Sequence, residues 1–322
     1  KEVINNNNNI LKSIELGGGI KFVEMLKKSN ILALVGGGEL PKFSTNKIII
    51  WDDHQGKIMR QIRFNSNVEK VKIRPDSIIG MIEDKIYIFN IDTLEIIDVL
   101  DTFNNPRHIL SISYNNVNEL HIAFPHPNGK GKVQIEHYTF LKEGHKKNES
   151  KIIQAHESNI AYIIMNLNGT ILATASDKGT LFRLFNVSTG EMITELRRGK
   201  QNAKIMCLEF NANTEFLGCT SDKGTVHIFD IHEVNKIFEI EDDKKNNNET
   251  NKKEKSKKTL KINERSFVKY KITEEKGILG FSNKNELIIM TPDGKIYKTK
   301  YDVKSGGNPN KLEQEYIDFG KE

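Results

Sequence analysis

The pentapeptide Ser-Asp-Lys-Gly-Thr occurs twice in this chain, at 176–180 and 221–225, offset by 45 residues. Each copy stands between two strand-length apolar runs: Ile171–Ala175 and Leu181–Asn186 flank the first, Phe216–Thr220 and Thr225–Ile231 the second. This is the form of a tight turn joining antiparallel strands, with glycine supplying the positive φ. Return of the same hairpin after 45 residues sets a period, and a period of that length built from short strands belongs to β-propeller blades.

The remaining sequence keeps the same beat. Short β-type runs such as Ile31–Val35, Lys47–Trp51, Lys85–Asn90, Glu119–Phe124 and Lys204–Phe210 alternate with turn signals, and long helical periodicity is absent. Grouped in fours, the runs give blades at 20–60, 61–102, 103–155, 156–199, 200–272 and 273–322, after a remnant at 1–19. The expectation is an all-β, seven-bladed WD-repeat-like β-propeller, one domain over 1–322, with its first blade incomplete in this numbering. A sandwich needs far fewer strands.

Three stretches fall outside the pattern. The Asn5–Asn9 tract reads as a disordered insertion, and Lys142–Ser150 as a similar short one. Residues 241–265 are Lys- and Asn-rich, and are expected to form a disordered loop between the third and fourth strands of the sixth blade. Within it, Lys252–Lys261 holds six lysines and one glutamate, which concentrates charge in a chain of net charge only +5. The two cysteines, Cys207 and Cys219, lie in strand-like runs and support neither a disulfide framework nor a zinc site; buried inert thiols in a reducing, cytoplasmic setting fit them better. No apolar run approaches the roughly 20 residues of a spanning helix, and no secretory leader is visible.

Between the two repeated turns stands Leu196-Arg197-Arg198-Gly199, at the end of the strand-like run Glu191–Leu196. Successive side chains on a strand leave on opposite faces, so the two arginines cannot serve one cavity but can serve two, one on each side. A guanidinium grips phosphate oxygens bidentately, and the hydroxyls of the repeated turns are placed to complete such sites. An Arg-Arg pair is also an ordinary way to keep a strand edge solvated.

These residues resemble the PROPPINs, seven-bladed propellers that bind polyphosphoinositides and whose animal members are the WIPI proteins. The family hallmark F-R-R-G stands here as Leu196-Arg197-Arg198-Gly199. The flanks T-A-S-D-K-G-T-L-F-R-L-F-N and S-D-K-G-T-V-H-I-F-D look like the family's fifth and sixth blades. Ile31–Gly38, Lys85–Ile91, Ile152–His156 and Ser305–Gly307 extend the likeness along the chain. The resemblance implies two headgroup pockets, one lined by His156, Thr174, Ser176, Gly179, Thr180, Arg183 and Arg197, the other by Arg198, Ser221, Thr225 and His227. It further implies ligands phosphorylated at the inositol 3-position, or at 3 and 5, a monomer recruited peripherally to autophagosomal, endosomal or vacuolar membranes, and partner proteins of the autophagy and lipid-transfer machinery.

Leu196 replaces the family's Phe at a packing position, and Thr174 keeps a hydroxyl where some members have Ser. The blade-six loop departs further: it is lysine-rich and nearly without large apolar residues, which favours attraction to an anionic leaflet over insertion. His156 also has a structural reading, as the histidine that opens an ordinary WD repeat. An extra residue in Leu181–Asn186 relative to Val226–Asp230 predicts a local irregularity that turns Arg183 inward. Asp177 and Asp222 read as turn formers that bond backbone. An acid already paired with a pocket arginine would weigh against the two-site reading.

No nucleophile elbow, metal-ligand spacing or cofactor loop is present, and Gly17–Gly19 and Gly36–Gly38 lack the strand–turn–helix context of a phosphate-binding loop. The expectation is therefore a non-catalytic protein without cofactor or metal. The rival is a protein-scaffolding propeller that does not bind lipid. Nucleic-acid binding through 252–261 lacks aromatic interleaving and is set aside.

Overall fold

The computed structural model describes residues 15–103, 105–234, 264–272, 277–282, 286–293 and 295–301, and the backbone of 313–316. The described residues form six antiparallel sheets of consecutive strands. The first contains β1 (Ile20–Met25), β2 (Ile31–Gly36), β3 (Lys47–Asp52) and β4 (Lys57–Arg63). The second contains β5 (Lys70–Ile73), β6 (Ser77–Met81), β7 (Lys85–Asn90) and β8 (Ile96–Asp101). The third has five strands: β9 (Ser111–Ile112), β10 (Glu119–Pro125), β11 (Lys132–Phe140), β12 (His145–Lys147) and β13 (Lys151–Gln154), the last two both pairing with β11. The fourth contains β14 (Ile160–Met165), β15 (Ile171–Ser176), β16 (Leu181–Asn186) and β17 (Met192–Arg197). The fifth contains β18 (Ile205–Phe210), β19 (Phe216–Ser221), β20 (Thr225–Asp230) and β21 (Val268–Lys271). The sixth contains β22 (Ile278–Phe281), β23 (Glu286–Met290), β24 (Lys295–Lys300) and β25 (Glu313–Tyr316).

The predicted grouping into fours holds in outline, with two corrections: β4 runs past the predicted boundary at 60 to Arg63, and the third sheet has five strands. Lys142–Ser150, expected to be disordered, contains β12, and three things hold it there. The Leu141 amide bonds the Gly144 carbonyl at 3.0 Å, Lys147 Nζ reaches Asp98 at 2.8 Å, and Asn148 Nδ2 donates to Thr139 at 2.9 Å. Asp98 also accepts the Tyr138 hydroxyl at 2.7 Å. The Asn5–Asn9 tract and most of the remnant at 1–19 lie outside the described residues, as do residues 241–263 of the lysine-rich loop. The gap does fall between the third and fourth strands of its sheet, β20 and β21.

By contact density the chain parts into two compact units. One comprises 1–110, 117–120 and 138–148; the other comprises 111–116, 121–137 and 149–322. In the first unit, Ile48, Ile62, Phe64 and Val71 join the first two sheets in one core. In the second unit, Phe182 of β16 meets Phe229 of β20 edge-on at 5.6 Å, inside a core that includes Ala173, Ala175 and Leu196. A further cluster there joins β18, β20 and β21 to β22, β23 and β24.

Burial follows strand order. The second strands β6, β15 and β19 are buried at every position, whereas the fourth strand β4 is exposed at six of its seven. Strands covered on both faces become continuous apolar or small-residue runs, and outer strands alternate with water. Gly218 in β19 shows how tight this packing is: a Cβ there would stand 2.9 Å from the Phe281 ring of the next sheet, so glycine is what admits the aromatic side chain.

A shared turn device marks the repeats at atomic level. Asp52, Asn90 and Asn186 each close a third strand, with a side-chain oxygen accepting amides two and three residues on. Asn166 and Asn211 do the equivalent after the first strands of the fourth and fifth sheets.

Candidate functional site

The repeated pentapeptides become the β15–β16 and β19–β20 turns. Ladder register shows how they correspond. Thr174 pairs with Arg183 and Ala175 with Phe182 in the first, Cys219 with His227 and Thr220 with Val226 in the second. Arg183 and His227 therefore occupy the same place in their hairpins. The extra residue lies in the first turn itself. The β15–β16 register is unbroken, and the bulge in this sheet falls between Leu184 and Phe185 against β17. The predicted irregularity at Arg183 is thus corrected: ordinary alternation sets its direction, between the buried Phe182 and Leu184.

Around the first hairpin, His156, Thr174 and Arg183 lie together. His156 Nε2 lies 2.9 Å from Thr174 Oγ1, and Thr174 Oγ1 lies 3.4 Å from the Arg183 carbonyl. Both His156 and Thr174 are buried, so these polar atoms satisfy one another. Arg183 donates from Nη1 to the Ala155 carbonyl at 2.7 Å, which seats it beside His156. Its Nε pairs with Glu195 at 2.9 Å, so an acid is already paired with an arginine of the first proposed pocket, which weighs against that half of the two-site reading. The physical reason is register: Glu195 is the β17 residue directly opposite Arg183. The Gly179 amide is also committed, donating to the Ser176 carbonyl at 2.9 Å to close the turn. At φ +59°, a Cβ on Gly179 would stand 1.9 Å from the Ala203 carbonyl, so no other residue fits the turn without displacing backbone.

Around the second hairpin, the Ser221 and Thr225 hydroxyls lie 3.3 Å apart. His227 Nδ1 lies 2.9 Å from the Ser266 hydroxyl. If Nδ1 accepts from Ser266, the opposite ring nitrogen carries the proton as a donor. Lys269 of β21 stands opposite His227 in register, just as Glu195 stands opposite Arg183.

The two arginines part at the backbone. The Arg197 amide donates to the Glu264 carbonyl at 2.6 Å, while the Arg198 amide turns to the Thr180 carbonyl at 2.9 Å. The Arg198 guanidinium bonds the Gly179 carbonyl at 2.5 Å and the Gln201 carbonyl, and its charge is felt at His227. Arg197 is exposed at the end of β17, and among the described residues its side chain has no hydrogen-bond partner. Leu196 between β16 and the core is fully buried, as its packing role predicts. The Asp222 carboxylate bonds the Lys204 amide at 3.0 Å, a turn former tied to the strand that precedes it.

Both histidines are neutral at physiological pH. His156 is pushed down to about 4, first by burial and then by the Arg183 charge; His227 is pushed to about 4 by burial, then by Lys269 and Arg198. A folded-state value below the unfolded value of about 6.5 stabilises the fold above that pH, and the gain disappears as pH falls towards 4. Each shift corresponds to at most about 3 kcal/mol. Unfolding free energy should therefore fall between pH 6.5 and 4, and chemical denaturation of His156→Gln and His227→Gln should show a shallower pH slope in each. The thiols of Cys207 and Cys219 are buried and raised to about 11 and 12, which makes them inert.

Sequence reasoning missed Glu195, Gln201, Ser266 and Lys269. Glu195 was within reach of strand-pairing arithmetic; Ser266 and Lys269 lie beyond the long insertion, where spacing carries no register.

The PROPPIN family model matches residues 13–245. The chain belongs to the PROPPIN family. Autophagy-related protein 18e of Arabidopsis thaliana is 31% identical over 93% of this chain and 77% of its own length. The chain spans 44% and 57% of the length of relatives from Komagataella pastoris and Schizosaccharomyces pombe. Among solved structures, Kluyveromyces lactis Hsv2 with a complete loop 6CD superposes with a TM-score of 0.74 at 19% identity, covering 97% of this chain and 91% of that one. A complex of KlAtg21 with the coiled coil of AgAtg16 gives 0.69 at 20%, covering 97% and 89%. The fold of this PROPPIN is thus a β-propeller, of which the described residues supply six sheets. No helix among the described residues is long and apolar enough to cross a membrane.

Proposed function

We propose that this PROPPIN is a non-catalytic phosphoinositide effector. It binds phosphatidylinositol 3-phosphate, phosphatidylinositol 3,5-bisphosphate or both through two pockets flanking Leu196-Arg197-Arg198-Gly199. One observation supports the reading: the two hairpins that repeat in sequence hold Arg183 and His227 at matched positions, with the arginine pair between them and Arg197 exposed opposite Leu181 of the first. Guanidinium groups, hydroxyls and a neutral imidazole donor form a donor-rich shell suited to phosphate oxygens. Two modest sites on one surface combine through effective concentration when both engage the same bilayer.

The protein acts from the cytoplasm as a monomer, settling on membranes that carry the lipid and bringing autophagy or lipid-transfer partners with it. Flotation with neutral vesicles, vesicles of phosphatidylserine, and vesicles containing a few per cent phosphatidylinositol 3-phosphate tests this. Flotation only with the last is expected. Equal flotation with any vesicle of the same total charge would assign the binding to lysines instead, and none at all would leave the scaffolding role.

A further inference from the structure

The two hairpins match in register but not in charge, and the difference sits at one position. The strand facing each basic residue from the outside supplies Glu195 to Arg183 in one case and Lys269 to His227 in the other. Glu195 is about one-third exposed and holds Arg183 Nε at 2.9 Å, so the first hairpin presents a carboxylate beside its arginine. Lys269 is exposed and faces His227 in register, so the second hairpin presents a cation beside its imidazole.

We propose that the pockets differ in the headgroup they take: the second, flanked by Lys269, holds an inositol bearing two phosphates, while the first, flanked by Glu195, admits an inositol bearing one. This rests on the reading of the site as a phosphoinositide site. A second phosphate brings further negative charge and three more acceptor oxygens. Beside Glu195 that charge meets a carboxylate whose partner arginine is already engaged, while beside Lys269 it meets an exposed ammonium. Opposite signs at matched positions discriminate more sharply than attraction at one site alone, because the wrong ligand is repelled as well as less attracted.

Calorimetric titration with short-chain, soluble phosphatidylinositol 3-phosphate and its 3,5-bisphosphate decides the matter. In the wild type, the bisphosphate should bind in two steps, one tight and one weak, and the monophosphate to two sites of similar strength. Lys269→Met should remove the tight bisphosphate step, weakening it by about 5- to 10-fold, the scale of one half-solvated charge contact, with less than a twofold change for the monophosphate. Glu195→Gln, which keeps an acceptor for Arg183 Nε, should strengthen the weak bisphosphate step by a similar factor. Lys223→Met, in the second turn but outside the pocket, serves as a control for net charge alone. Two equal bisphosphate sites in the wild type, or a Lys269→Met effect no larger than that of Lys223→Met, would overturn the proposal. Failure of the wild type to bind either lipid would instead overturn the phosphoinositide reading itself.

Discussion

Replacing Arg197 and Arg198 together by threonine should abolish flotation with vesicles containing phosphatidylinositol 3-phosphate, lowering apparent affinity by at least about 100-fold. A charge-assisted hydrogen bond contributes about 1.5–3 kcal/mol, and a guanidinium can supply more than one to a phosphate. Loss of either also ends bivalent engagement, so the double variant loses avidity as well as contacts. The two substitutions are not equivalent for the fold. Arg198 ties the Gly179 and Gln201 carbonyls, so its removal loosens the turn around the first hairpin at a cost of about 1–2 kcal/mol. Arg197 is exposed, and Arg197→Thr should leave the unfolding midpoint unchanged while weakening lipid binding by about tenfold. Retention of lipid-specific flotation by a folded double variant would sink the assignment of these residues.

The second large effect concerns stability. Asp76→Ala should destabilise the protein by about 3–5 kcal/mol, because it strands a charge that water cannot reach. Arg74 is fully buried, and its guanidinium makes a fork to the Asp76 carboxylate, Nε to Oδ1 at 3.0 Å and Nη2 to Oδ2 at 2.6 Å. It also donates to the Glu119 carbonyl at 3.0 Å. Removing both charges should cost far less: Arg74→Met with Asp76→Ala is expected to recover at least half of the loss, since the desolvated cation goes with its partner. Urea denaturation with unchanged m-value checks the pair. A double variant as unstable as Asp76→Ala would show that shape, not charge, holds this corner.

How far the site was legible varies by residue. The duplicated turn identified both hairpins and the Ser221 and Thr225 hydroxyls, because turn chemistry is local: a glycine at positive φ and its flanking polar residues are fixed by a few neighbouring torsions. His227 was readable from its alternating strand. Arg183 was named without its partner: Glu195 was within reach of strand pairing, but the bulge between Leu184 and Phe185 shifts that pairing by one residue. Ser266 and Lys269 were invisible for a different reason: β21 follows an insertion of no fixed length, so nothing in the primary order says which of its residues will face His227.

From its own order of residues the chain settled that it is all-β, that its strands come in fours with a period near 45 residues, and that two repeated hairpins flank an arginine pair. Those features follow from side-chain alternation and turn torsions, which act over a few residues. Tertiary structure decided which carbonyls hold Arg198, that Arg183 is shared with Glu195, and that opposite charges stand at matched positions beside the two hairpins. Those are contacts between strands and across turns, set by register and burial.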